Sequence, residues 1–411
     1  MADPAPLWRN RDYMLLWSGQ VASTLGTTAS NVVVPLLILA ITNSPEAAGI
    51  AGALRFFPYL VFSLPVGALI DRWDRKAVMI RCDVGRAIAL ATIPVAMAFD
   101  ALTLWQIYAV ALVEGSLYVF FNIAEVAALP RVVPTLQLPQ ASAQNEAGFG
   151  IANIVGPSMG TVLYQAFGRS VPFVANTLTY VISFMSLLRI KAPLHIEREA
   201  VKHDLRAEVA EGLRWIWANP LIRYMALLTG GMNVTTAATP LIVIVLAKQM
   251  SAGDAAIGVI FSAAGIGGIV GSLVGGQIQK RFTFGRVIIA VIWLDALCFP
   301  LYVIVPSYGL LALVASISMF LGPVYNVVQF SYRLSIIPDQ LQGRVNSVFR
   351  LVAFGFIPLG AALSGALIEH LGVVTAILIF SGWMLLLALA TTANASVRSA
   401  RPPRAAGPEF P

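Results

Sequence analysis

Charge is scarce in this chain. Asp, Glu, Lys and Arg make up 11% of its 411 residues, against about 25% in a soluble globular domain. With 58% of the residues hydrophobic, too little polar surface exists to keep the folded chain in water. The class that remains is a polytopic membrane protein. Cysteine is scarce as well. Cys82 and Cys298 each sit inside an apolar segment, whereas a disulfide or metal site needs closer spacing or polar surroundings. Both read as small buried residues, and neither a metal nor a cofactor is expected. No G-x-x-x-x-G-K-[ST] phosphate loop occurs. Energy for any transport must then come from an ion gradient rather than from ATP.

Long apolar runs are what the chain has in quantity. About 20 apolar residues cross a bilayer. Twelve such runs lie near 14–41, 47–70, 77–98, 102–128, 141–166, 171–189, 222–247, 255–278, 286–305, 308–332, 346–369 and 371–393. Arg9 and Arg11 precede the first, which is too long for a cleaved signal sequence and lacks a small-x-small site, so it reads as a span. The longest polar interruption, 190–221, divides the chain. This predicts an all-α polytopic membrane protein of twelve transmembrane helices in two six-helix bundles, 14–189 and 222–393. Residues 1–13 precede the first bundle, and the tail at 394–411 is expected to be disordered.

The interruption contains one more helix. Leu205, Val209, Leu213, Ile216 and Trp217 recur at helical spacing, while Arg206, Glu208, Glu211 and Arg214 take the other face. That pattern predicts an amphipathic helix at the membrane surface. The two bundles also echo each other. Pro134, Gly156 and Gly168 recur as Pro338, Gly360 and Gly372, and Pro35-Leu36 recurs as Pro240-Leu241. Gly67 and Arg72 recur more weakly as Gly276 and Arg281.

The net charge of +7 follows from the positive-inside rule rather than from nucleic-acid binding. A cytoplasmic N-terminus places 23 of the 27 Lys and Arg residues at cytoplasmic ends. Arg169 and Lys248 fall in outer loops, and Arg55 and Arg86 within spans. Arginine outnumbers lysine 22 to 5, and alanine and glycine abound, as in a GC-rich bacterial genome. The expected location is a bacterial cell (inner) membrane, with both termini in the cytoplasm.

Between the second and third spans stands GALIDRWDRK, residues 67–76. Gly67 is expected to permit tight helix packing, and Asp71, Arg72, Asp74, Arg75 and Lys76 crowd the exit. This stretch resembles the G-x-x-x-D-R-x-x-R-K loop of the major facilitator superfamily. Gly156-Pro157-x-x-Gly160 resembles the fifth-helix motif of drug/proton antiporters, with Thr161 in place of its last Gly. NRDYMLLWSGQ at 10–20 and Asp83-x-x-Arg86-Ala87 resemble the branch that exports macrolides and siderophores such as enterobactin. The resemblance implies a fold that rocks about a midplane site. It also implies that Asp71 latches one state, with Arg131 and Arg344 as possible partners.

Polar residues inside the spans mark candidate sites. Gln20, Thr24, Thr27 and Asn31 share one face of the first span, and Glu114, Tyr118, Asn122 and Glu125 one face of the fourth. The seventh carries Thr229, Asn233 and Thr236, and the tenth Asn326, Gln329 and Arg333. In the resembled family these four spans line the central cavity; hydrogen bonding between helices is the competing role. Ionisable residues in spans are costly and default to functional candidates. Glu114, Glu146, Asp83 and Asp295 are candidate proton carriers. Asp83 and Arg86, three apart, are expected to pair. Arg55 either binds an anionic substrate or pairs internally. Small-residue stripes at Gly148, Ala152, Gly156, Gly160 and at Gly267, Gly271, Gly275 are expected to face each other across the bundles.

The expected function is proton-coupled efflux of a small amphiphilic compound, an antibiotic or other natural product, by a monomer with no nucleic-acid partner. An uptake symporter of the same fold is one alternative. A membrane hydrolase using Ser158 is another, because Gly156–Gly160 also fits G-x-S-x-G. That elbow requires a strand and a turn not expected here.

Overall fold

The computed structural model describes residues 6–70, 72–194, 205–338 and 341–400. The expectations on Asp71 and on the tail beyond residue 400 fall outside the described residues. The first bundle runs α1 (Arg11–Thr42), α2 (Pro45–Ile70), α3 (Arg75–Ala98), α4 (Leu104–Val132), α5 (Leu138–Phe167) and α6 (Val171–Arg189). Helix α7 (Leu205–Ala218) follows. The second bundle is α8 (Pro220–Gln249), α9 (Asp254–Arg281), α10 (Phe284–Cys298) with its short extension α11 (Leu301–Ile304), α12 (Tyr308–Ile336), α13 (Gln342–Gly355), α14 (Ile357–Leu371) and α15 (Val373–Ala393). A last turn, α16, covers Ala395–Arg398.

Among the described residues, ten helical stretches are long and apolar enough to cross a membrane. Helices α3 and α5, of 24 and 30 residues, are long enough to cross as well but less apolar. They carry more polar side chains because other helices screen them. Helix α3 lies against α4 and α6, and α5 lies between α1 and α9. Membrane helices carry ionisable groups where they face a bundle interior.

Prolines account for two departures from the sequence reading. The ninth span is interrupted at Pro300 between α10 and α11, and the eleventh at Phe356 just before Pro358. Proline lacks the N–H that would continue the ladder. The repeated Gly168 and Gly372 have a physical reason in common. Each ends a span with positive φ, +103° and +80°, where a side chain would be strained.

The stripe of small residues on α5 does not meet that on α9. A β-carbon at Gly148 would strike Val21 and Trp17, and one at Gly160 would strike Ala29, all on α1. Gly267 and Gly271 seat α12, against the backbones of Ser316 and Phe320. The α5–α9 seam is built instead from Gly150 against Ile269, Asn153 against Gly265, and Pro157 against Gly258. Two residues further along a helix point to nearly the opposite side. The pattern of glycines was legible, and the neighbour they faced was not.

Helix α7 docks on α13 and α8. Ile216 is buried, and Gly212 abuts the Arg344 carbonyl and Val348. Glu211 pairs with Arg344. Leu213 and Trp217 remain exposed. The apolar stripe therefore splits between protein contact and an outer face.

Candidate functional site

The loop between α2 and α3 is held by side chains of both signs. Asp74 caps α3, accepting from the Lys76 N–H at 2.9 Å and the Ala77 N–H at 3.3 Å. Arg75 donates to the Ala127 carbonyl at 2.9 Å and Lys76 Nζ to the Ile190 carbonyl at 2.7 Å. The two cations thus tie the loop to the ends of α4 and α6, where exposed carbonyls favour positive charge. Trp73 stacks on Phe120, and Arg72 is exposed.

Gly67 does not pack tightly. A β-carbon there would meet no atom within 4 Å, and the same holds at its repeat partner Gly276. At the other ends of the same two helices, Gly49 and Gly258 are pressed against α14 and α5. Helices α2 and α9 therefore close against the opposite bundle on the face away from the loop, whereas Gly67 and Gly276 face open space.

A cavity of about 1070 Å³ lies between the bundles, at the upper end of the range for small-molecule sites, roughly 300–1,000 Å³. Its wall takes residues from both bundles, with Asn31, Arg55, Glu114, Glu146, Pro157 and Asn326 among the sequence candidates. Pro35 and Pro240, the repeated pair, face it from α1 and α8. The rest is largely apolar, including Phe56, Phe149, Phe261 and Met319.

On this wall Arg55 pairs with Glu114 at 3.4 Å, its side chain 17% exposed and that of Glu114 4%. Tyr180 donates to the other Glu114 oxygen at 2.6 Å, and the Thr27 hydroxyl lies 3.0 Å from the Tyr180 oxygen. Hydrogen bonds to charged groups contribute about 1.5–3 kcal/mol each. Helix packing enforces the pair, because a β-carbon at Gly115 would collide with the Arg55 carbonyl. Behind Tyr180, the Arg86 guanidinium lies 4.5 Å from its ring centroid and 4.4 Å from that of Phe121. Asp83 pairs with Arg86 as the spacing leads one to expect, and both are buried. Arg55, Glu114, Tyr180, Arg86 and Asp83 form one chain of contacts from the cavity into the first bundle.

Several sequence candidates lie elsewhere. Gln20 stands beside the buried Glu125, and the Thr27 hydroxyl lies against that of Tyr180. Asn233 donates to the Ala353 carbonyl at 2.7 Å, Thr236 to Met232 at 3.1 Å, and Thr229 meets the Tyr325 hydroxyl at 2.7 Å. The cavity wall includes neither these nor Tyr118, Asn122 or Gln329. On α8 it runs instead through Ala237, Pro240, Leu241 and Ile244, while Asn233 and Thr229 turn toward α13 and α12. Asp295, half-buried on α10, is away from the cavity. Ser158 meets the Ser262 hydroxyl at 2.8 Å across the bundles. Gly156 and Gly160 seat α1. Sequence reasoning missed Phe56, Phe149 and Phe261, since an apolar residue in a span carries no mark of which side it faces.

The family model of the Major Facilitator Superfamily matches residues 16–356. The chain belongs to that superfamily. Among its members, the multidrug efflux pump Tap of Mycolicibacterium fortuitum is 26% identical over 386 residues, covering 91% of this chain and 93% of the relative. Macrolide efflux protein A of Streptococcus pyogenes is 24% identical over 374 residues, 89% and 91% of the two chains. The enterobactin exporter EntS of Escherichia coli O81 is 24% identical over 347 residues, 82% and 80%. The crystal structure of the nucleoside transporter NupG shares the fold, with a TM-score of 0.76 at 15% identity over 95% of this chain and all of that one. A bacterial homologue of the iron transporter ferroportin, in an inward-facing state, gives 0.70 at 14% identity over 93% and 99%. The all-α fold, the multi-pass membrane protein and the superfamily expected from the sequence are those found.

Proposed function

We propose that this chain is a proton-coupled exporter of small amphiphilic compounds, working as a monomer in a bacterial cell membrane with its termini in the cytoplasm. The observation that carries the reading is a buried carboxyl, Glu114, on the wall of a large apolar cavity between two rocking bundles. In that position it is able to trade a proton against substrate or against Arg55. Tap, macrolide efflux protein A and EntS are named as efflux proteins or exporters, which supports the outward direction. With the α2–α3 loop in the cytoplasm, as the positive-inside rule requires, the cavity stands open to the cytoplasm, where an exporter loads.

The cavity's charge narrows the substrate. Arg55 and Glu114 neutralise each other, which leaves Glu146, exposed to the cavity and with no ion pair or hydrogen bond among the described residues. One free carboxylate beside aromatic rings suits an apolar compound with a basic nitrogen. Glu146→Gln is expected to raise the KM for a lipophilic cation about tenfold while changing that for a neutral amphiphile little, as the loss of ~1.4 kcal/mol requires. Equal effects on both in vesicle flux would refute the preference.

Whole-cell accumulation tests direction. A deletion strain is expected to hold more of the compound than its parent, and a protonophore is expected to abolish the difference. Lower accumulation on deletion would instead mark an uptake symporter. Asp71→Asn is expected to reduce export several-fold with normal membrane insertion, since Asp71 is proposed to latch the opposite state. Export at the parental rate would leave the loop a topology signal only.

A further inference from the structure

On the face opposite the α2–α3 loop, hydrogen bonds cross between the bundles at two helix N-termini. The Glu369 carboxylate, near the end of α14, accepts from the Ser44 hydroxyl at 2.8 Å and from the Glu46 N–H at 3.1 Å, at the start of α2. Ser44 Oγ in turn accepts from the Ala47 N–H at 3.1 Å. Gln165, near the end of α5, accepts through Oε1 from the Ala255 N–H at 2.7 Å, at the start of α9. Helix α9 starts after Gly253 and has no cap of its own, so its cap comes from the other bundle. The first N–H groups of a helix lack partners within it, and that end favours a carboxylate.

These caps are one feature occurring twice. Gln165 and Glu369 are 204 positions apart, the spacing of Gly168 and Gly372. Glu46 and Ala255 are 209 apart, the spacing of Gly67 and Gly276. The correspondence continues one turn inward. A β-carbon at Gly49 would lie 2.6 Å from the Ala361 carbonyl, and one at Gly258 would lie 2.9 Å from the Pro157 carbonyl. Gly49 and Gly258 are 209 apart, and Pro157 and Ala361 are 204 apart.

We propose that Glu369 and Gln165 are the gating residues of this face, holding it shut while the cavity is open on the other. The inference rests on the alternating-access reading given above. The bonds that Glu369 and Gln165 accept join opposite bundles, so the rocking that opens this face must break them and the return must remake them. A cap is retained only in the closed state and therefore biases the equilibrium toward it. The two caps are unequal. Glu369 is charged and makes two bonds, and charge-assisted bonds are about twice as strong as neutral ones. His370 adds to the same corner, its Nε2 lying 3.4 Å from Glu46 Oε2. The Lys248–Asp254 pair, at 2.5 Å, lies within one bundle and takes no part. The α5–α9 corner therefore parts more easily than the α2–α14 corner.

Spin labels at Ala101 and Ser307, exposed on this face in opposite bundles, report its opening by electron–electron distance. The protein is placed in nanodiscs with Cys82 and Cys298 replaced by Ser. The parent is expected to give one short distance. Glu369→Ala is expected to shift the ratio of long to short distance about tenfold, the factor given by ~1.4 kcal/mol. Glu369→Gln and Gln165→Ala are expected to give smaller shifts. The swap carrying Gln165→Glu with Glu369→Gln is expected to return most of the population to the short distance. An unchanged distribution in Glu369→Ala, even with lowered thermal stability, overturns the proposal. A swap as open as Glu369→Gln alone does so too. The exporter reading fails on flux instead, whatever the distances show.

Discussion

Replacing Glu114 by Gln is expected to abolish the dependence of transport on a pH gradient while the protein still inserts and folds. The amide keeps the shape and still accepts from Tyr180, which sits 2.6 Å from the carboxylate, but it cannot exchange a proton or neutralise Arg55. Arg55 is then a half-buried cation without its partner, a costly state inside a membrane protein. Gradient-driven flux is expected to fall at least tenfold, with exchange of substrate for substrate across the membrane retained. The readout is substrate-induced proton movement in reconstituted vesicles. Normal proton movement in the variant would transfer the role to Glu146 or to another carboxyl. Tyr180→Phe separates the roles further. It removes the donor to Glu114 and leaves the ring beneath Arg86, so its effect is expected to be smaller than that of Glu114→Gln.

Leucine at Gly67 or Gly276 is expected to stop transport without harming the fold. Both positions face open space in this state, so the added side chain costs little here. In the opposite state α2 and α9 must close against the other bundle on this face, and the leucine then stands in the way. Overpacking a helix contact typically costs about 1–3 kcal/mol, and more where backbone meets backbone. The reverse pattern is expected at Gly49 and Gly258, where a side chain would strike backbone in the present state. Leucine there is expected to destabilise the protein in detergent and favour the opposite opening. Flux through the Gly67→Leu protein at the parental rate would mean that these helix ends do not approach.

The contrast along α2 and α9 shows where the sequence was informative. The repeat linking Gly67 with Gly276 was visible, but its meaning was not. A glycine is equally suited to a close contact and to a gap that must later close, and only the state of the molecule distinguishes them. The all-α membrane architecture was legible because about 20 apolar residues leave a strong signal. The Asp83–Arg86 pair followed from spacing on one helix. The Arg55–Glu114 pair joins two helices 59 positions apart, and no local pattern specifies it. Polar stripes located helix faces but not their neighbours. Asn31 and Asn326 reach the cavity, whereas Asn233 turns to the Ala353 carbonyl. The cross-bundle caps of Glu369 and Gln165 had a signal in the 204-position repeat, since each stands three residues before its repeated glycine. That signal becomes readable only when the partner helix ends are known.

Driving force is the most direct test of an ion-powered exporter. The purified protein is reconstituted in sealed vesicles without nucleotide, and a pH gradient is imposed on a lipophilic cation of fluorescent readout. The cation is expected to accumulate against its own gradient on the acidic side, and a protonophore is expected to collapse that accumulation within the response time of the dye. Accumulation that persists after the pH difference is dissipated, or flux that runs only down the cation's own gradient, would contradict proton-coupled export.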